Sequence, residues 1–257
     1  MTGARVAAIT HNTLREVARE RVFLVLVLFG LGLAGVSLVL APLALGEGRK
    51  VVLDFGLAGA SALSTLVVIV LGSSLLHKEL DRRTIYAVMA KPIRRAEFLA
   101  GKYAGLWTSA AALLAAMTAL TAILLSATGG GIPWQVGSAL LLSLAELAIV
   151  TAIVIFFSSF TTPLLTAFFT TATLLAGHFA EDLLYFGTHG ASRLLAGATE
   201  VTYWLLPHFE VFNARGLVVH GVDVGPERLL FGAAYAALYG GALLAAAAAI
   251  FERRDFK

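Results

Sequence analysis

The sequence predicts an all-α polytopic membrane protein. Three observations carry that prediction: a mean hydropathy of +0.87, a charged fraction of only 14%, and six apolar runs each long enough to cross a bilayer. A soluble domain would carry about a quarter charged residues, and one spanning helix needs about 20 apolar residues in succession. The runs lie at about 22–45, 55–76, 103–127, 136–160, 162–180 and 227–251. They make one transmembrane domain of the whole chain, 1–257.

Residues 1–21 precede the first run. On a helical wheel Val6, Ile9, Thr13, Leu14 and Val17 share one face, with Arg5, Asn12, Arg15 and Arg19 opposite. Such an amphipathic helix with a basic face suits the cytoplasmic headgroup layer. The run at 22–45 lacks a small-residue cleavage site and is long enough to span, so it reads as a first transmembrane helix, not a signal peptide. The stretch 136–180 is too long for a single span, and Pro163 suits the first turn of a new helix, so two helices with a tight turn at 158–162 are expected. Residues 181–226 are too apolar for a solvated loop. Leu183, Leu184, Tyr185 and Phe186, then Tyr203, Trp204, Leu205, Phe209 and Phe212, predict short interfacial or re-entrant helices between the fifth and sixth spans.

Sidedness follows from the basic residues. With a cytoplasmic N-terminus, the segments 1–21, 77–102, 158–162 and 252–257 lie inside and hold 14 of the 19 Lys and Arg. Both termini are therefore expected in the cytoplasm.

Several chemistries are excluded. No G-x-x-x-x-G-K-[ST] is present to cradle ATP phosphates, no H-E-x-x-H to hold zinc, and no G-x-S-x-G to present a serine nucleophile. The absence of cysteine removes disulfides and thiolate sites, and the six His have no ligand spacing. A net charge of +3 gives no case for nucleic acid. Nothing predicts a catalytic residue, a metal site or a cofactor held by this chain.

The segment 77–102 carries the most information. It is charged at both ends and amphipathic between, with Ile85, Val88, Met89, Ile93 and Phe98 as apolar anchors. Thr84 can cap a short helix after Asp81, and Pro92 breaks it. The pattern fits either a docking element beneath the membrane or a plain positive-inside loop. Glu79 closing the second helix, Thr84 five residues on, Pro92, Arg94 or Arg95, and Gly101-Lys102 opening the third helix resemble the signature of ABC-2-type transport permeases. Two positions depart from it: Arg83 stands where a Gly is usual, and Ala87-Val88-Met89 where a Leu pair is usual. Leu206-Pro-His-Phe-Glu-Val-Phe-Asn213 resembles a stretch found in one branch of that family. The family's N-terminal interface helix, six spans and paired short outer helices match the elements read above.

The resemblance implies a bacterial or archaeal cytoplasmic-membrane permease subunit. It would pair with a second copy or a paralogue and with a separate ABC ATP-binding subunit that carries the ATP and Mg. It implies export rather than import. The ATPase-coupling residues would be Glu79, Thr84, Met89, Pro92, Arg94, Arg95, Phe98 and Lys102.

A second group lies within the spans. Glu146 is the acid well inside a predicted span, either a functional group or a structural hydrogen bonder. Thr166, Thr170, Thr173 and Glu181 share a face of the fifth span, near His178. That face suits close helix packing or a translocation path. An ATP-independent secondary transporter or channel using Glu146 is the alternative function.

Overall fold

The computed structural model describes residues 2–44, 46–81, 95–127, 131–190 and 193–253, and every regular element among them is helical. In order these are α1 (Thr2–Arg19), α2 (Arg21–Leu40), α3 (Gly48–Asp81), α4 (Arg95–Ala127), α5 (Gln135–Ser158), α6 (Pro163–His178), α7 (Ala180–Gly190), α8 (Arg193–Leu205), α9 (Arg215–Val219) and α10 (Pro226–Arg253). Single 3-10 turns occupy Ala41–Ala44 and Phe209–Phe212.

Among the described residues, five segments are long and apolar enough to cross a membrane: Arg21–Ala44, Gly48–Leu75, Arg95–Ala127, Gln135–Ser158 and Pro226–Glu252. The run expected at 162–180 differs. Its helix α6 has 16 residues, roughly 24 Å at the α-helical rise, against about 30 Å of hydrocarbon. The helix stops at Phe179, whose φ of −99° and ψ of 13° leave the α region. α7 resumes at once, and Leu183 N–H donates to the Phe179 carbonyl at 2.9 Å.

Breaks between helices have local causes. Glu20 adopts an extended backbone (φ −71°, ψ 131°) that separates α1 from α2. Thr162 is extended (φ −83°, ψ 162°) because it precedes Pro163, which occupies the first turn of α6 as expected.

The core forms where α3, α4 and α5 meet. Val67, Val68, Leu106, Ala110, Ile149 and Val150 have no exposed surface there. α10 packs on α5 through Gly232 and Gly240: a Cβ on Gly232 would meet Leu142 at 2.9 Å and one on Gly240 would meet Ala152 at 3.8 Å. α7 and α8 form a helical hairpin, with the Gly187 backbone pressed against Thr199. A second apolar cluster closes one end of the bundle, built from Phe98, Leu99, Ile155, Ala247 and Phe251.

Candidate functional site

That closed end gathers most of the segments expected to be cytoplasmic. α4 starts there with Gly101 and Gly105 one turn apart, and both lie under α1. A Cβ on Gly101 would meet Ile9 at 2.6 Å, and one on Gly105 would meet Thr13 at 2.5 Å. The missing side chains let two backbones approach closely, and the Thr10 hydroxyl lies 2.9 Å from Val6 O and 3.3 Å from Gly101 O, in reach of both carbonyls. Between these glycines Lys102 turns inward. Its side chain is 1% exposed and its ammonium meets Glu16 at 3.2 Å. A buried cation requires a close counter-charge, so this pair fixes where α1 sits on α4. Arg5 and Glu97 add a looser ion pair at 3.9 Å.

Arg95 donates to the carbonyls of Phe251 at 2.7 Å and Glu252 at 3.0 Å. Those carbonyls belong to the last turn of α10, where a cation also complements the helix dipole. Phe98 stacks on Phe251 with centroids 6.3 Å apart and is 4% exposed. His77, near the end of α3, reaches the Thr161 carbonyl at 2.6 Å, so its Nε2 carries the donated hydrogen. The two flanks of 82–94 are thus tied to α1, to the end of α10 and to the α5–α6 turn.

This placement changes what the sequence-predicted coupling residues can touch. Phe98 and Lys102 are committed to the chain's own interior, not offered as surface anchors, because α1 and α10 cover them. Arg95 is used on the end of α10. Glu79 lies in the last turns of α3. Thr84, Met89, Pro92 and Arg94 lie outside the described residues. Sequence reasoning missed Glu16, although a lone acid on the basic α1, one turn past Thr13, was a legible signal.

A second site lies deeper. A partly enclosed cavity of about 130 Å³ is lined by α3, α4, α5, α6 and the segment after α8. Its polar groups include Ser61, Thr118, Ser143, Glu146, His178 and Arg215. His178 Nε2 lies 3.8 Å from Glu146 Oε1, and His178 Nδ1 lies 3.0 Å from the Leu174 carbonyl. The His178 ring stacks on Phe209 at 5.2 Å. Gly177 lets the Pro207 carbonyl approach α6, where any Cβ would collide. Arg228 holds this outer segment by three carbonyls, those of Glu210 at 2.9 Å, Val211 at 2.9 Å and Asn213 at 3.1 Å. Arg215 pairs with Asp54 at 3.3 Å.

The structure therefore brings Glu146 and His178 together but leaves out the rest of that predicted group. Thr166 and Thr170 are fully buried, and Thr166 meets the Thr161 hydroxyl at 2.8 Å. Thr173 is half-buried and Glu181 is exposed on α7; none of the four lines the cavity. Arg215 and Arg228 fall outside the four basic inside segments, and the sequence assigns them no partner, because carbonyl capture depends on chain reversal that composition does not reveal.

A sequence profile of ABC-2 family transporter proteins matches residues 7–181, more than half of the chain. The chain belongs to that ABC-2 transporter family. No curated protein matches it. As an ABC-2 family protein it is a membrane component of transport and not itself catalytic. The matched stretch contains both the α1–α4 lock and the Glu146–His178 pair, whereas the Arg228 clamp lies beyond it.

Proposed function

We propose that this chain is the permease subunit of an ATP-driven exporter in a bacterial or archaeal cytoplasmic membrane. It works with a second copy or paralogue and with separate cytoplasmic ATP-binding subunits that hold ATP and Mg. The family match supports this reading, and one structural observation carries its mechanism. The flanks of 82–94 are locked to α1, α10 and the α5–α6 turn through Lys102, Arg95 and His77. A partner that pushes on this segment would move three other elements at once. Glu79, Thr84, Met89, Pro92 and Arg94 are then the coupling surface, and Arg95, Phe98 and Lys102 transmit the push. α6 supplies the sixth crossing. The closed end faces the cytoplasm with both termini, and α7–α8 lie at the outer interface.

Purification of the tagged chain from native membranes tests the reading. A co-purifying protein with a P-loop, together with a second permease chain, is the expected result. The chain freed of any ATPase should bind no nucleotide. Met89→Asp should detach the ATPase while leaving the helical fold intact. Recovery of a fully active transporter that lacks any ATPase, or transport in vesicles without nucleotide, would favour the ion-coupled alternative that uses Glu146.

A further inference from the structure

Glu146 sits about 17 Å along α5 from its start at Gln135, near the middle of a membrane-spanning helix. A carboxylate at that depth is expensive unless it is neutralised or paired. Its neighbour His178 has one ring nitrogen already committed. Nδ1 faces the Leu174 carbonyl at 3.0 Å, and a carbonyl only accepts, so Nδ1 carries a hydrogen. In a neutral imidazole, Nε2 then presents a lone pair toward Glu146 Oε1, 3.8 Å away. Two acceptors would face each other there unless a proton lies between them.

The surroundings fit an exchangeable proton. The charged groups that act on Glu146 are His178 from α6, Glu210 from the 3-10 turn and Arg215 from α9. Arg215 is itself shared with Asp54 of α3. α3 and α4 add only the hydroxyls of Ser61 and Thr118 to the cavity wall. Thr118 Oγ1 is buried and has no hydrogen-bond partner among the described residues. A water needs roughly 10–15 Å³ of such space and two to four polar partners, so the cavity of about 130 Å³ has room for several. These waters would supply and receive the proton. The Pro207–Arg215 segment covers the pair through the Phe209 stack and the Gly177 contact, so its position governs their hydration.

We propose that Glu146 and His178 together bind one exchangeable proton inside the helix bundle, beneath the Pro207–Arg215 segment. The proton resides on the Glu146 carboxyl, on the side that faces His178 Nε2 3.8 Å away, and it leaves to cavity water. The site does not depend on which energy source drives transport.

Infrared difference spectroscopy of the full chain in lipid nanodiscs tests this between about pH 5 and about pH 8, the range in which imidazole ordinarily changes charge. The expected signal is a protonated-carboxyl stretch that shifts in D₂O. It should vanish in Glu146→Gln, and its titration midpoint should move by about one pH unit or more in His178→Asn. Circular dichroism and monodispersity check that both variants fold. Absence of the signal in the wild-type chain overturns the proposal without any variant. Persistence of the signal in Glu146→Gln assigns the proton to another acid and also overturns it. An unchanged midpoint in His178→Asn means that Glu146 binds the proton alone, which refutes the shared site.

Discussion

α2 and α5 have nearly the same mean hydropathy, 2.7 and 2.6 over their most apolar windows, yet 11% of the α2 window is buried against 50% of the α5 window. α5 lies at the centre, touching α3, α4, α6 and α10. α2 buries only Gly30 and Ser37, and it leaves Leu24, Val25, Leu28, Phe29 and Leu31 exposed. Hydropathy measures transfer from water into an apolar medium, and lipid tails are as apolar as leucine. It therefore selects the helices that enter the membrane without ranking them within it. Rank depends on close approach through small residues and on hydrogen bonds between helices. α5 has both. Val154 packs against the Gly72 backbone of α3, and the Leu144 and Ala148 carbonyls receive bonds from Trp107 and Tyr103 of α4.

The largest effect should come from filling a glycine at each helix. A Cβ on Gly72 would meet Leu106 and Val154 at 2.6 Å, both held in the core. Gly72→Val should cost about 3 kcal/mol through overpacking. A Cβ on Gly30 would meet Met117 and Leu63 at 2.8 and 2.9 Å; both are buried too, but unbranched Met117 can change rotamer where β-branched Val154 cannot. Gly30→Val should cost about 1 kcal/mol. Reversible denaturant titration in bicelles measures both, and equal losses would mean that α2 is packed as tightly as α5.

Truncation should separate the helices next. Leu147 of α5 is 2% exposed, whereas Leu28 of α2 is 67% exposed. Lipid replaces protein without a transfer penalty, so only lost packing counts, and Leu147→Ala should cost about 2 kcal/mol. Leu28→Ala should cost below about 0.5 kcal/mol in the isolated subunit. A larger loss at Leu28 that depends on protein concentration would place α2 at a subunit contact.

The smallest difference concerns hydrogen bonds. Trp107 donates across helices to Leu144 at 3.1 Å, while Ser37 bonds within its own helix to Ala34 at 2.7 Å. Trp107→Phe should cost about 1 kcal/mol and Ser37→Ala close to zero, in the same titration.

The fold was legible wherever a local rule acted. Pro163 announced the α5–α6 break because a proline forces its predecessor into an extended conformation. The amphipathic stripe of α1 announced its buried face, with Thr13 and Val17 fully covered. Its destination was not legible. The stripe suited a headgroup layer, and nothing in it named Gly101, Gly105 and Lys102 of α4 as the surface that covers it. Phe98 read as a free apolar anchor because its stacking partner Phe251 is remote in sequence. The threonine face of α6 read as one unit with His178 and Glu181, but Phe179 bends the chain and turns Glu181 away.

Composition alone determined that this protein belongs in lipid, since apolar runs of that length have no stable place in water. Charge placement determined the expected sidedness, because Lys and Arg resist translocation. Prolines determined where α6 and α10 begin, at Pro163 and Pro226, because their fixed φ suits a first helical turn. Tertiary structure decided which apolar helices lie inside, because that choice rests on backbone approach and not on hydropathy. It also decided the pairings of Lys102 with Glu16, Arg228 with the outer carbonyls, and Glu146 with His178. A charge seeks the nearest partner in space, and only the folded chain makes these partners neighbours.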